Sequence, residues 1–180
     1  KLSTPSPYVT VLNDSIYVGS IVQGNNQNLS GAFTVQIANY FPNQTPAQLN
    51  FEIHSNNNTS NKVVTLNLLA PQLVFESSSI TANTGNNDGI VDPGETITVT
   101  VTNKNEGQGT LYALISRLNS FYSGATITNN VVNVETITSG QSVNSEYTVQ
   151  IASTVAPGTI IPLYHTFYKG DYVVNKVIYI

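Results

Sequence analysis

The sequence predicts an all-β chain built as tandem β-sandwiches, and three observations carry that reading. Apolar and polar residues alternate at period two, in runs enriched in Val, Ile, Thr, Tyr and Phe, while helical periodicity is nearly absent. These runs recur at intervals of roughly 8–12 residues, divided by Gly, Pro, Asn and Ser clusters of turn-forming composition. Part of the second half of the chain also recurs in the first, so one structural unit is used twice.

In order, the predicted strands of the first set are Tyr8–Leu12, Ser15–Val22, Ala32–Ala38, Gln48–His54 and Lys62–Leu69. A boundary follows at Ala70-Pro71. The second set is Leu73–Ile80, Thr96–Asn103, Leu111–Leu118, Ala125–Thr128, Val131–Ile137, Val143–Ala152, Thr159–Tyr168 and Tyr172–Ile180.

The repeat fixes the domain organisation. Phe33-Thr-Val-Gln-Ile-Ala38 matches Tyr147-Thr-Val-Gln-Ile-Ala152 at an offset of 114 (147 less 33), and the same offset aligns Thr45 with Thr159, Leu49 with Leu163, and Asn61-Lys62-Val63 with Asn175-Lys176-Val177. Upstream, Ile21 and Gly24 align with Ile137 and Gly140 at offset 116, a two-residue difference of the kind loops absorb. Residues 71–180 therefore read as one complete sandwich, whereas 1–70 read as a partial one that matches only its second half, from about position 117 onward. Five strands without the partners that cover their inner face expose apolar surface and unpaired edges, and a half-sandwich cannot offset its ordering entropy. Strands from neighbouring domains or subunits are expected to complete 1–70. They come either from a longer chain, of which a sequence starting at Lys1 without any Met is an excerpt or processed product, or from another chain as in donor-strand assemblies.

Composition narrows the function classes. The chain has 180 residues, 40% of them hydrophobic, enough for a core, yet only 9% are charged. Asn, Ser and Thr fill about a third of the positions, a polar but weakly charged surface of extracellular or cell-surface character. Six Lys/Arg against ten Asp/Glu, with no basic cluster, leave nothing to drive nucleic-acid binding. No apolar run approaches the roughly 18 residues of a transmembrane helix, so no membrane span is expected, and no stretch reads as a signal peptide. The absence of Cys excludes a disulfide framework and thiolate metal sites.

The densest chemistry lies in Thr84-Gly-Asn-Asn-Asp-Gly-Ile-Val-Asp-Pro-Gly-Glu95. Counted from Thr84, the loop places Asn86, Asp88, Ile90, Asp92 and Glu95 at positions 3, 5, 7, 9 and 12, with Gly89 at 6. That is the spacing of an EF-hand calcium loop, with side-chain oxygens at odd positions, a backbone carbonyl at 7 and a bidentate Glu at 12. Ca²⁺ is the cofactor such a set would take, through Thr84, Asn86, Asp88, Ile90, Asp92 and Glu95. Thr84 stands where Asp is usual, and a strand rather than a helix follows. The alternative is a turn shaped by Asp88-Gly and Pro93-Gly, with Asp92 or Glu95 capping nearby N–H groups.

The segment Asn86-Asn-Asp-Gly-Ile-Val-Asp-Pro-Gly-Glu-Thr-Ile-Thr-Val-Thr-Val-Thr-Asn103, followed by Asn105-Glu-Gly-Gln-Gly109, resembles the opening of immunoglobulin-like modules of the CARDB (cell-adhesion-related bacterial) type. Ile137-Thr-Ser-Gly140 and Val155-Ala-Pro-Gly158 resemble later turns of such modules. The resemblance covers 71–180 and, through the repeat, 1–70. It implies tandem immunoglobulin-like sandwiches, the first incomplete, of the kind found in bacterial surface adhesins and C-terminal to secreted gingipain-like and subtilisin-like peptidases. It implies a structural or adhesive role with a cell-surface protein or glycan as partner, and no activity of its own.

Other features are weaker. His54 and His165 lie near corresponding ends of repeated strands without a metal-spaced partner, and read as strand-surface residues. No G-x-S-x-G, H-E-x-x-H or paired-carboxylate pattern is present, so an enzyme is not expected. Tyr164, Tyr168, Tyr172 and Tyr179 crowd the last hairpin, either packing across strands or facing a sugar or protein. Sequons start at Asn13, Asn28, Asn43, Asn57 and Asn58, each a glycosylation site if the source modifies Asn. The expected function is a non-catalytic extracellular structural or adhesive module. The alternatives are an accessory domain of a secreted peptidase and a filament subunit assembled by donor-strand complementation.

Overall fold

The computed structural model describes residues 1–56, 58–82, 84, 85, 88 and 90–180. Among them there is no helix; the chain is all β, and every strand pairing is antiparallel. The chain divides into two units, Lys1–Leu69 and Ala70–Ile180.

The first unit contains β1 (Leu2–Ser3), β2 (Val9–Asn13), β3 (Thr34–Ile37), β4 (Thr45–Ser55) and β5 (Asn58–Leu68). They form two small sheets, β1-β4-β5 and β2-β3. Leu2, Val9, Ala47, Leu49 and Leu68 are buried between these sheets, and Phe33, Val35, Ile37 and Phe51 pack against them only partly buried.

The second unit contains β6 (Leu73–Ala82), β7 (Thr96–Asn105), β8 (Leu111–Asn119), β9 (Ala125–Ile127), β10 (Val131–Ile137), β11 (Ser142–Ile151), β12 (Pro162–Lys169) and β13 (Tyr172–Tyr179). One sheet runs β6-β7-β11-β9 and the other β10-β8-β12-β13. Strand β7 shows why the sheets pack. Its Ile97, Val99 and Val101 are buried, while the alternating Thr98, Thr100 and Thr102 stay half-exposed, as a two-residue period on a half-buried surface requires. These three meet Tyr147 and Val149 of the same sheet and Leu118, Leu163 and Ile178 of the opposite one. Each such side chain contributes about 1.5–3 kcal/mol by leaving water. A second cluster joins Leu114, Val134, Ile137 and Phe167 with Leu73 and Leu111.

The repeat read from the sequence holds at the level of hydrogen-bond register. Val9↔Ile37, Thr10↔Gln36 and Val11↔Val35 in the first unit correspond, at offsets 116 and 114, to Ala125↔Ile151, Thr126↔Gln150 and Ile127↔Val149 in the second. Leu2↔Phe51 corresponds to Leu118↔His165, and Leu49↔Val64 to Leu163↔Ile178. Turns repeat as well: Asn25 N–H donates to Val22 O at 3.0 Å, as Gln141 N–H does to Thr138 O at 3.1 Å, and Thr45 Oγ1 donates to Pro42 O as Thr159 Oγ1 does to Ala156 O. Accordingly β1 is the last two residues of a β8, while β2 to β5 stand for β9, the end of β11, β12 and β13. Among the described residues, 1–69 contain no counterpart of β6, β7 or most of β8.

That gap explains one departure from expectation. Ser15–Val22, with its alternating pattern, is not a strand. By the repeat, residues 15–21 correspond to β10, which pairs with β8 residues 111–117; of these only Arg117 has an equivalent in the first unit, Lys1. Without a neighbour to take its N–H and C=O groups, the pattern alone does not make a strand. Strand β12 also begins at Pro162 rather than Thr159, because Thr159 closes a turn onto Ala156.

Candidate functional site

Within residues 84–95 the described side chains are organised around Glu95. Glu95 is buried, and its Oε2 accepts a hydrogen bond from Asp92 N–H at 2.9 Å. Its Oε1 lies against Gly85, where an added Cβ would fall 1.7 Å away; Gly85 also has φ +107°, so only Gly fits there. Thr84 Oγ1 accepts from Thr96 N–H at 2.8 Å, and Asp88 Oδ1 accepts from Ile90 N–H at 2.8 Å. Gly94 N–H and Glu95 C=O bond Ile151, fastening the turn to the end of β11. Thr84, Asp88 and Ile90 are exposed and Asp92 is half-buried. Asn86, named for the calcium set, lies outside the described residues. Among the described residues, no group of three or more His, Cys, Asp or Glu stands together as a metal site. Glu95 Oε2 thus accepts an N–H from within its own turn, as a capping carboxylate does.

A second polar cluster joins Ser116, Tyr147 and His165. The sequence reading places His165 at the strand surface, but it sits in the core at 1% exposure. Alternation along β12 places it inward between Leu163 and Phe167, which are both buried. The repeat partner of His165 is Phe51, not His54, which is exposed beside Thr59 and Glu52. Tyr147 Oη donates to Ser116 Oγ at 2.6 Å, and Ser116 Oγ lies 3.0 Å from His165 Nε2. His165 Nδ1 has no hydrogen-bond partner among the described residues. Burial lowers the His165 pKa to about 4 and raises that of Tyr147, the latter against opposing hydrogen bonds. Ser116 and His165 are both buried, and among the described residues no carboxylate bonds Nδ1.

A third feature organises the entry to the second unit. Asn105 is fully buried; its Oδ1 accepts from Gln72 N–H and Gly107 N–H, each at 3.0 Å, and its Nδ2 donates to Gly109 O at 2.7 Å and Ile137 O at 3.4 Å. Gly107 and Gly109 lie so close to Ala70–Gln72 that a Cβ would meet backbone atoms at 2.3–2.8 Å.

On the outer face of β12, Tyr164 and Tyr168 alternate with the buried positions, and Tyr164 packs on the exposed Phe121 with centroids 5.1 Å apart. Tyr179 is exposed and Tyr172 half-buried. Of the sequon residues, Asn13, Asn28 and Asn58 are exposed and Asn43 half-buried; Asn13 Nδ2 donates to Ala32 O, and Asn57 lies outside the described residues.

No protein-family model matches the chain, and no curated protein matches it.

Proposed function

We propose that the chain is a non-catalytic, load-bearing or adhesive module of a bacterial-type surface or secreted protein, with the immunoglobulin-like sandwich of the CARDB resemblance. The observation that carries this reading is the register-exact reuse of one half-sandwich in tandem, the construction of an array whose units bear on their neighbours rather than enclose a cleft. The amide- and hydroxyl-rich surface supports an extracellular setting. Within this reading Glu95 serves as the cap of the 84–95 turn rather than as a calcium ligand, and the turn holds the start of β7 on β11.

Single-molecule pulling of the whole chain tests both parts. The second unit, Ala70–Ile180, is expected to unfold in one step whose gain is its extended length of about 370–400 Å less the end-to-end distance of the folded unit, at the same force in excess Ca²⁺ and in EDTA. Gradual extension without a discrete step contradicts the module reading. A calcium-dependent rise in force that Asp88→Ala and Asp92→Ala abolish returns the ion to the loop.

A further inference from the structure

We propose that the core of the second unit is a binding site for internal water. A polar layer crosses it, and at least one water molecule is held there between the Asn103 side chain and Ser145 Oγ.

Alternation along the strands builds the layer. On β7 the inward positions run Ile97, Val99, Val101 and then Asn103, and on β11 the inward residue before Tyr147 is Ser145. Ser116 lies between Leu114 and Leu118 on β8, and His165 between Leu163 and Phe167 on β12. Val101, Leu118, Tyr147 and Leu163 belong to one apolar cluster, Leu114 and Phe167 to the other. Asn103, Ser116, Ser145 and His165, each at most 1% exposed, lie where the two clusters divide.

Part of this layer is bonded and part is open. Tyr147, Ser116 and His165 are joined by hydrogen bonds that cross from one sheet to the other. Asn103 Oδ1, Asn103 Nδ2 and Ser145 Oγ, like His165 Nδ1, have no hydrogen-bond partner among the described residues. Exchanging the amide oxygen and nitrogen of Asn103 changes nothing, because both are open. Asn105, two residues on and equally buried, makes four side-chain hydrogen bonds, so the unit does satisfy a buried Asn where loop groups reach it.

Strand register makes the open groups neighbours. Ser145 pairs with Val101 and Asn103 with Val143, which sets Ser145 and Asn103 diagonally on one inward face, about 7–8 Å apart, a gap that an Asn side chain and a water span. Burial raises the Tyr147 pKa while Ser116 and Ser145 hold it back, so Ser145 stands beside the phenol although its Oγ completes no hydrogen bond. Three open polar atoms on adjoining side chains match the roughly two to four partners that a buried water takes, and each left bare keeps its full desolvation cost.

The first unit shows that packing alone does not call for this polarity. At offset 114, Ser145, Tyr147 and His165 correspond to Gly31, Phe33 and Phe51. The two phenylalanines meet edge-on at 5.6 Å, as Tyr147 and His165 do at 6.3 Å.

Oxygen-17 relaxation dispersion of the whole chain tests the site, because it reads bound water oxygens and not exchanging hydroxyl protons. Asn103→Leu combined with Ser145→Ala replaces the open groups by apolar ones of similar size. This variant is expected to fold and to lose the dispersion amplitude of at least one water relative to wild type; an unchanged amplitude overturns the proposal. A crystal structure of the wild-type chain reads the same site without any substitution. A water within about 3.2 Å of both the Asn103 amide and Ser145 Oγ is expected there, whereas a direct Asn103–Ser145 hydrogen bond, or bare contact between the two, overturns it.

Discussion

Asn105→Ala is expected to destabilise the second unit by about 3–5 kcal/mol, read as a lowered urea midpoint at unchanged slope. The substitution removes an acceptor shared by Gln72 N–H and Gly107 N–H and a donor to Gly109 O and Ile137 O, all in a fully buried position. The backbone groups left behind keep their desolvation cost without a partner, which is why the loss exceeds that of one exposed hydrogen bond. Backbone bonds make the same residue a junction: Asn105 N–H donates to Gln141 O, and Gly140 N–H donates to Asn105 O. Gly107→Ala attacks the junction from the other side, since its Cβ would lie 2.3 Å from Gln72 N and 2.4 Å from Ala70 O, both backbone atoms that cannot swing away. A comparable loss is expected there. If both variants keep the wild-type midpoint within about 0.5 kcal/mol, Asn105 does not hold the unit together.

Acid is expected to weaken the second unit through His165. The folded protein holds this imidazole neutral, with its pKa lowered to about 4 by burial, against an unfolded value of 6.5. The unfolded chain therefore binds the extra proton. The contribution of His165 is fully present above pH 6.5 and is lost progressively as pH falls from there towards 4, amounting to roughly 2–3 kcal/mol at pH 4.5. The repeat supplies the control substitution. Phe51 occupies the matching register position and packs edge-on against Phe33 at 5.6 Å, as His165 does against Tyr147 at 6.3 Å. His165→Phe should fold and lose most of the difference between the urea midpoints at pH 7.5 and pH 4.5. An undiminished difference in that variant assigns the acid sensitivity to other groups.

The fold was legible because two independent sequence signals agreed. Alternation in Thr96–Asn103 and its fellows gave the strands, and the Phe33–Ala38 repeat of Tyr147–Ala152 gave the organisation, later matched pair by pair in the registers. Ser15–Val22 shows the limit of alternation, which specifies which faces a strand would have but not whether a neighbour exists to pair with it. The inward position of His165 is written in the sequence. Its place midway between Leu163 and Phe167 points inward, and the 114 offset pairs it with Phe51. In the 84–95 loop, spacing lists oxygens but not the hydrogen bonds they accept. The role of Glu95 depends on its approach to Gly85 and on the Asp92 N–H, both set by how the turn closes. Asn105 was visible only as part of a short Asn and Gly pattern, because its partner Gln72 lies 33 positions away.

The claim that the first unit is the second unit's half, lacking the neighbours of β3, is tested most directly by native-state hydrogen exchange on the whole chain. Amides of Phe33–Ile37 and of Tyr147–Ile151 are the same five positions of one repeat, differing in whether a β7 lies alongside. The segment in the second unit is expected to exchange at least roughly a hundredfold more slowly than its counterpart in the first. Equal protection in the two segments would contradict the account.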